Sequence, residues 1–324
     1  MSKYFYSLGL IFFGLVLGQT IKVLVAKGRI SKSVPMDKYI KNVQYFVLLG
    51  LNPVITIGAF WIVRLDDIRL LAVPMLGISA LVFGGVFGLL FSKIFKHEKK
   101  KTGSMFVSAS FTNLGTIGGL ACFTFFGEAS YAYVSVYKLF EELYYFPVGY
   151  PIAKQFGHCE TEDYRKNRLL RVLTDPFILV YLSAVFTGFI LNISGVDRPP
   201  IYKTVNEILI PVISVLFVTS AGYNMRLGAI GSYMRECLAV AGVKFLITPV
   251  IITSIACLIG IGSLYDGLVL KVVLVLSAMP PAFNALIPPQ IYNLDTDLAN
   301  SCWLFCTGAM VLVLPVLYLA QGLL

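Results

Sequence analysis

Long apolar stretches alternate with short polar connectors along the whole chain. Ten of these stretches are long enough to form a membrane-crossing helix, which needs about 20 apolar residues. They cover residues 4–26, 40–63, 68–95, 104–126, 131–153, 171–194, 205–223, 234–261, 266–292 and 297–321. This pattern predicts an all-α integral membrane protein with ten transmembrane helices. Almost nothing remains outside these stretches for a soluble domain.

The positive charge of the chain concentrates in alternate connectors. The net charge is +9, although only 13% of the residues are charged. Most lysines and arginines follow the first, third, fifth and seventh stretches, and Lys99, Lys100 and Lys101 are examples. Cytoplasmic loops of membrane proteins carry such an excess. The pattern predicts a multi-pass protein of the plasma membrane, or of the inner membrane in a bacterium, with both termini outside. We therefore interpret the basic excess as a topology signal and expect no nucleic-acid partner.

The longest charged connector divides the chain into two halves of five stretches each. It covers residues 154–170, so the halves are residues 1–153 and 171–324. Because five is odd, the second half enters the membrane from the opposite side. Two halves with the same fold would be inverted repeats, a common architecture of secondary transporters.

The fourth and ninth stretches break the rules of a regular helix at matching places in the two halves. The fourth reads SASFTNLGTIGGLACF and places Asn113, Gly115 and Gly118 close together. The ninth reads SAMPPAFNALIPPQIY, where Pro280 and Pro281 predict a break. Proline inside a helix costs about 3 kcal/mol or more. Paired interruptions of this kind indicate a transport site, and the N-terminal ends of half-helices favour an anion.

The order and spacing of several segments resemble the auxin efflux carrier family. The segment MPPAFNALIPPQIYNLDTDLANSCWLFCTGAMVLVLP is similar to its last two helices, and LIPVISVLFVTSAGYNM to its seventh. The resemblance implies the fold of the bile acid–sodium symporters, with scaffold helices 1, 2, 6 and 7 and a mobile core of helices 3–5 and 8–10. It further implies crossover helices 4 and 9, elevator-type movement, a homodimer through the scaffold, and organic-anion substrates such as auxin, malate or malonate.

The resemblance also places the substrate-binding residues. Asn113 and Asn284 become the first candidates for contact with the substrate, and their amide groups can donate or accept hydrogen bonds. The other candidates lie at the predicted breaks or in the second helix; they are Thr112, Gly115, Pro280, Pro281 and Asn52. A kink with an internally bonded asparagine explains Asn52 and the proline after it better. Pro288 and Pro289 are expected to end the ninth helix.

Three charged residues fall in the middle of the predicted fifth helix. They are Lys138, Glu141 and Glu142, with Lys244 of helix eight as a further partner. Ionisable groups at membrane depth are functional candidates by default. Lys138 would pair with a substrate carboxylate and one glutamate would carry a proton. A structural set of ion pairs explains the three residues equally well, and both interpretations stay open.

Other classes of function find little support in the sequence. The histidines, His97 and His158, lie in separate loops, and no motif of a hydrolase, metalloprotease or nucleotide-binding loop occurs. We therefore predict a carrier that is not an enzyme and has no cofactor or metal site. Coupling to protons, coupling to sodium and uniport are all open. The alternatives are a sodium-coupled symporter on the same fold and a ligand-sensing membrane protein that does not transport.

Overall fold

The computed structural model describes residues 2–29, 34–64, 66–157, 176–225 and 230–323. The described chain is 86% helical and contains no strand. Seven of its helices are long and apolar enough to cross a membrane. They are α1 (Ser2–Ala26), α2 (Met36–Ile62), α3 (Ile68–Ile94), α8 (Pro176–Ile193), α9 (Ile201–Asn224), α10 (Ile230–Leu258) and α13 (Thr296–Ala320). The predicted class, an all-α multi-pass membrane protein, is confirmed.

The three other predicted stretches are each divided into two shorter helices. The fourth contains α4 (Lys99–Ser110) and α5 (Leu114–Phe126). The fifth contains α6 (Glu128–Tyr137) and α7 (residues 141–155), and the ninth contains α11 (Leu268–Ser277) and α12 (residues 283–291). The breaks expected in the fourth and ninth stretches are present, and the fifth has a break that was not expected. Ten membrane crossings and inverted repeats stay predictions, and the connector beyond residue 157 lies outside the described residues.

The chain forms two compact units that cut across its two halves. Unit 1 combines residues 2–29, 34–64, 119–135 and 176–225, whereas unit 2 combines residues 66–118, 136–157 and 230–323. Unit 1 contains α1, α2, α8 and α9, the four helices that the family resemblance assigns to the scaffold. The assignment of helices 3–5 and 8–10 to a mobile core stays a prediction. Residues 119–135, which belong to the fourth and fifth stretches, group with unit 1.

Small residues bring α1 and α9 together inside unit 1. A Cβ atom on Gly18 would lie 2.1 Å from the carbonyl oxygen of Thr219, and one on Gly222 would lie 2.6 Å from that of Leu15. The Gln19 side chain adds a hydrogen bond, because Nε2 donates to the carbonyl of Gly222 at 2.6 Å. Inside a membrane, burying apolar side chains against another helix is no more favourable than burying them in lipid. Helices therefore associate through close backbone packing at small residues.

An ion pair holds the link between α5 and α6 within unit 1. Arg198 contacts Glu128 through two bonds, Nη1 to Oε1 at 2.5 Å and Nη2 to Oε2 at 3.0 Å. The Asn206 amide donates to the same carboxylate at 2.8 Å. Glu128 directly follows Gly127, whose φ of +81° allows the chain to turn between the two helices. The pair therefore fastens the start of α6 to the segment that precedes α9.

Glycines also determine how closely α3 and α4 pack inside unit 2. A Cβ atom on Gly84 would lie 2.2 Å from the carbonyl oxygen of Ala109, and one on Gly88 would lie 2.8 Å from the Ala109 Cβ. Gly84 and Gly88 have the spacing G-x-x-x-G that permits such contact. This packing fixes the position of the end of α4, since Ala109 is the residue before its last one, Ser110.

We expect the substitution Gly84→Ala to destabilise the protein by about 2 kcal/mol, because the added methyl group must push α3 away from the backbone of α4. The measurement is the thermal unfolding midpoint of purified protein in detergent. Gly308→Ala in α13 is the matched control, since nothing lies within 4 Å of its added Cβ. Equal midpoints for the two variants would contradict the packing described above.

Candidate functional site

The segments that interrupt α4–α5 and α11–α12 pair with each other in unit 2. The Asn113 N–H donates to the Pro280 carbonyl at 2.9 Å, and the Ala282 N–H donates to the Phe111 carbonyl at 3.1 Å. Thr112 and Pro281 lie opposite each other as an isolated antiparallel bridge. The two interrupted segments thus meet backbone to backbone, and each satisfies polar groups that the other exposes.

The local sequence explains why the chain leaves the helix at these two places. Pro280 and Pro281 cannot donate backbone hydrogen bonds, and proline disfavours helical geometry in the residue before it. In the other segment, Asn113 begins the next helix, because its Oδ1 accepts a hydrogen bond from the Ile117 N–H at 3.1 Å. An asparagine that caps a helix competes with continuation of the preceding one.

The glycines of the fourth stretch do not form its break, contrary to expectation. The break covers residues 111–113, whereas Gly115 and Gly118 lie within the first turns of α5. A Cβ atom on Gly118 would lie 2.7 Å from Leu276 Cδ2 and 3.0 Å from Met279 Cγ. Gly118 therefore lets α5 approach the end of α11, just before the proline pair.

The second proline pair was expected to end the ninth helix, and this expectation is wrong. Pro288 and Pro289 occupy the first turn of the α-helical part of α12, Ile287–Ile291. A proline in the first turn removes no helical hydrogen bond, because those N–H groups have no partner within the helix. The pair therefore begins this part of α12.

A buried lysine closes the end of α4. Lys244 is 1% exposed, and its Nζ donates to the Ser110 carbonyl at 3.2 Å, the Phe111 carbonyl at 3.0 Å and Thr112 Oγ1 at 2.6 Å. The last carbonyls of a helix lack helical partners and carry partial negative charge. The ammonium group therefore stabilises the interruption. The predicted site residue Thr112 is engaged here, since its hydroxyl also donates to Ser110 O at 3.2 Å.

Tyr145 connects α7 to the same interruption. Its hydroxyl oxygen lies 3.0 Å from both the N and the O atoms of Thr112 and 2.9 Å from Oε1 of Glu141. The Tyr145 side chain is 1% exposed, and its ring stacks on Phe111 with centroids 4.2 Å apart. Sequence reasoning missed Tyr145. The available signal was its spacing of four residues from Glu141, which puts both side chains on one helix face.

The charged residues of the fifth stretch do not lie in the middle of a regular helix. Lys138 occupies the turn between α6 and α7, and α7 begins at Glu141. The Lys138 Nζ lies 3.3 Å from where a Cβ on Gly115 would be, so the ammonium group contacts the first turn of α5. Lys138 is also close enough to Glu141 to interact electrostatically with it. Glu142 is half-buried and has an interaction with another group.

The two predicted asparagines lie where the chain resumes a helix after each interruption. Asn113 is the last residue of the first interruption and immediately precedes α5, and Asn284 lies in the first turn of α12. Both side chains are half-buried. The Asn113 Nδ2 and the Asn284 amide make no hydrogen bond to the part of the chain that the structure describes. Each asparagine therefore presents N–H donors beside the crossing segments.

Asn52 belongs to unit 1. It lies in α2 directly after a π-helical turn, Val47–Leu51, and is followed by Pro53. This irregular turn agrees with the interpretation of Asn52 as part of a kink. A contact between Asn52 and a substrate stays a prediction.

Comparison with known proteins adds no family to this picture. No protein-family model matches the chain, and no curated protein matches it. The class that the fold defines is a multi-pass α-helical membrane protein.

We expect Lys244→Met to destabilise the protein by about 2 to 4 kcal/mol, because two carbonyls and a hydroxyl would lose a charged donor inside unit 2. Methionine retains most of the apolar stem, so lost packing contributes little. Thermal unfolding in detergent measures the effect, and Lys271→Met in α11 is the matched control. An unfolding midpoint equal to that of Lys271→Met would show that Lys244 does not support the interruption.

Proposed function

We propose that the protein is a secondary carrier of an organic anion, most simply a small carboxylate such as malate, malonate or an auxin-like acid. The observation that carries this proposal is the crossing of two interrupted helices, joined by the bonds Asn113 N–H to Pro280 O and Ala282 N–H to Phe111 O. Non-helical backbone at membrane depth is tolerated only where protein or a water-filled cavity surrounds it. Discontinuous helices of this kind are typical of substrate sites in secondary transporters.

The groups around the crossing suit a negatively charged ligand. The first turns of α5 and α12 present the positive ends of helix dipoles. Asn113 and Asn284 supply amide donors there, and the Lys138 ammonium lies against the first turn of α5. Charge-assisted hydrogen bonds from such donors to a carboxylate are stronger than bonds between neutral groups. A carboxylate is therefore the substrate group that this arrangement favours.

The proposal includes the architecture that the sequence predicts. Ten crossings in two inverted repeats, with both termini outside, would place the two interruptions at matching depth. An elevator mechanism needs bodies that move as rigid groups, and each of the two units is compact by itself. Alternating access would then carry the anion across the membrane with the crossing segments.

Sodium coupling is the competing version of this carrier. A sodium ion binds to carbonyl, hydroxyl and carboxylate oxygens. At the end of α4, two carbonyls and a hydroxyl already accept hydrogen bonds from Lys244. The positive charge needed to stabilise this interruption is therefore part of the protein, which favours transport that does not depend on sodium.

We expect wild-type protein in liposomes to accumulate one of labelled malate, malonate, citrate or indole-3-acetate by counterflow. Asn284→Ala and Asn113→Ala should each reduce this uptake by about tenfold, the equivalent of one hydrogen bond to a charged group. Asn224→Ala is the matched control, because Asn224 is an exposed residue at the end of α9.

Equal uptake by Asn284→Ala, Asn113→Ala and the control variant would remove the two asparagines from the site. Uptake that requires sodium would favour the symporter instead. Absence of counterflow for all four anions, with folded protein and at any sodium concentration, would contradict the carboxylate carrier and favour a ligand-sensing protein.

A further inference from the structure

The hydroxyl of Tyr145 has one proton and three hydrogen-bonding neighbours. It accepts a hydrogen bond from the Thr112 N–H at 3.0 Å. Two other oxygen atoms, Thr112 O at 3.0 Å and Glu141 Oε1 at 2.9 Å, are both within hydrogen-bonding distance. A phenol can donate only once. If Glu141 were ionised, the single Tyr145 proton could serve only one of these two contacts. The Tyr145 oxygen would then face either Thr112 O or Glu141 Oε1 with no proton between them.

A proton on Glu141 makes all three contacts hydrogen bonds. The carboxylic acid then donates from Oε1 to the Tyr145 oxygen, which accepts that bond and the one from Thr112 N–H. The Tyr145 proton is directed at Thr112 O. We propose that Glu141 is a proton-binding site whose protonation state reaches the crossing segments through Tyr145, and that the proton binds together with the transported anion. This inference rests on the proposed carrier function.

The charges that face Glu141 explain why proton and anion would bind together. Lys138 precedes it in the turn, Lys244 lies within electrostatic range from α10, and Glu142 follows on α7 and acts on Tyr145. Tyr144 and Tyr145 are neighbouring phenols, bonded to Ser110 at the end of α4 and to Thr112 in the interruption. The net charge of Lys138, Lys244, Glu142 and Glu141 is +1 when Glu141 is neutral. It falls to 0 when Glu141 is ionised. An anion is therefore attracted more strongly when Glu141 carries the proton.

Glu141 is also less buried than the two groups next to it in this network. Its side chain is half-buried, whereas Tyr145 and Lys244 are each 1% exposed. Proton binding forms the O–H bond on Glu141, and the same bond breaks when the proton leaves. Tyr145 only turns its own proton between Thr112 O and Glu141, so its hydrogen bonds change but no other covalent bond does. The hydrogen bond to Tyr145 also distinguishes Glu141 from Glu142, which the sequence could not do.

Infrared spectroscopy of purified protein in detergent tests proton binding without any substrate. We expect a carboxylic-acid C=O band in wild type that disappears as the pH is raised. Glu141→Gln should lose this band and Glu142→Gln should keep it. In Tyr145→Phe the band should move to higher frequency, because the acid loses its acceptor. A band unaffected by Glu141→Gln, or no acid band at any pH at which wild type is folded, would overturn the proposal.

Proton uptake on anion binding tests the coupling. Malate, malonate, citrate and indole-3-acetate are added separately to weakly buffered protein, at a pH where the free wild type lacks the acid band. Binding should take up about one proton per protein in wild type, as expected for one titrating carboxyl group. No uptake should occur in Glu141→Gln, where glutamine mimics the protonated acid. Binding without proton uptake in wild type would overturn the coupling.

The two experiments separate failure of this inference from failure of the carrier proposal. If none of the four anions binds or shows counterflow, the carrier proposal fails for these substrates. The infrared result then still decides whether Glu141 binds a proton. If an anion shows counterflow but the Glu141 acid band is absent, the carrier proposal stands and this inference is wrong.

Discussion

Backbone N–H and C=O groups that lose their helical partners in an apolar interior must find other partners, because leaving them unsatisfied is costly. Unit 2 meets this constraint at two interruptions at once. The segments 111–113 and 280–282 bond to each other, and Lys244 donates to the carbonyls that remain at the end of α4. The positions of the candidate site residues follow from this solution, since Asn113 precedes α5 and Asn284 lies in the first turn of α12, and both helices begin only after the preceding ones have ended.

The same constraint links stability to function. Groups that hold the interruption, such as Lys244 and Thr112, are engaged with protein partners. The Asn113 Nδ2 and the Asn284 side-chain amide beside it make no hydrogen bond to the described chain and can serve a ligand. Tyr145 belongs to both sets, because it bonds to the interruption and to Glu141. A change in the proton on Glu141 would therefore alter bonding at the crossing segments, which is how a small event at one side chain could affect a large segment.

Close backbone approach is the second condition on which the arrangement depends. Gly84 and Gly88 allow α3 to lie against the last turns of α4, and Gly118 allows α5 to approach the end of α11. Larger residues would move these helices away from the interruption that they surround. In unit 1, Gly18 and Gly222 have the corresponding role between α1 and α9. Small residues therefore determine the spacing of the helices, and the polar groups then fit that spacing.

The sequence by itself determined the all-α membrane class, because apolar length and helical hydrogen bonding leave no other way to cross a bilayer. It also located the interruption in the ninth stretch, since proline acts on its immediate neighbours. It predicted one in the fourth stretch as well, but assigned that break to Gly115 and Gly118, which lie within the following helix. Only the tertiary structure decided that the fifth stretch is broken at Lys138 and that Lys244 and Tyr145 bond to the first interruption. Lys244 and Ser110 are 134 positions apart in the chain. No local pattern encodes such a contact, because it exists only after the helices have packed.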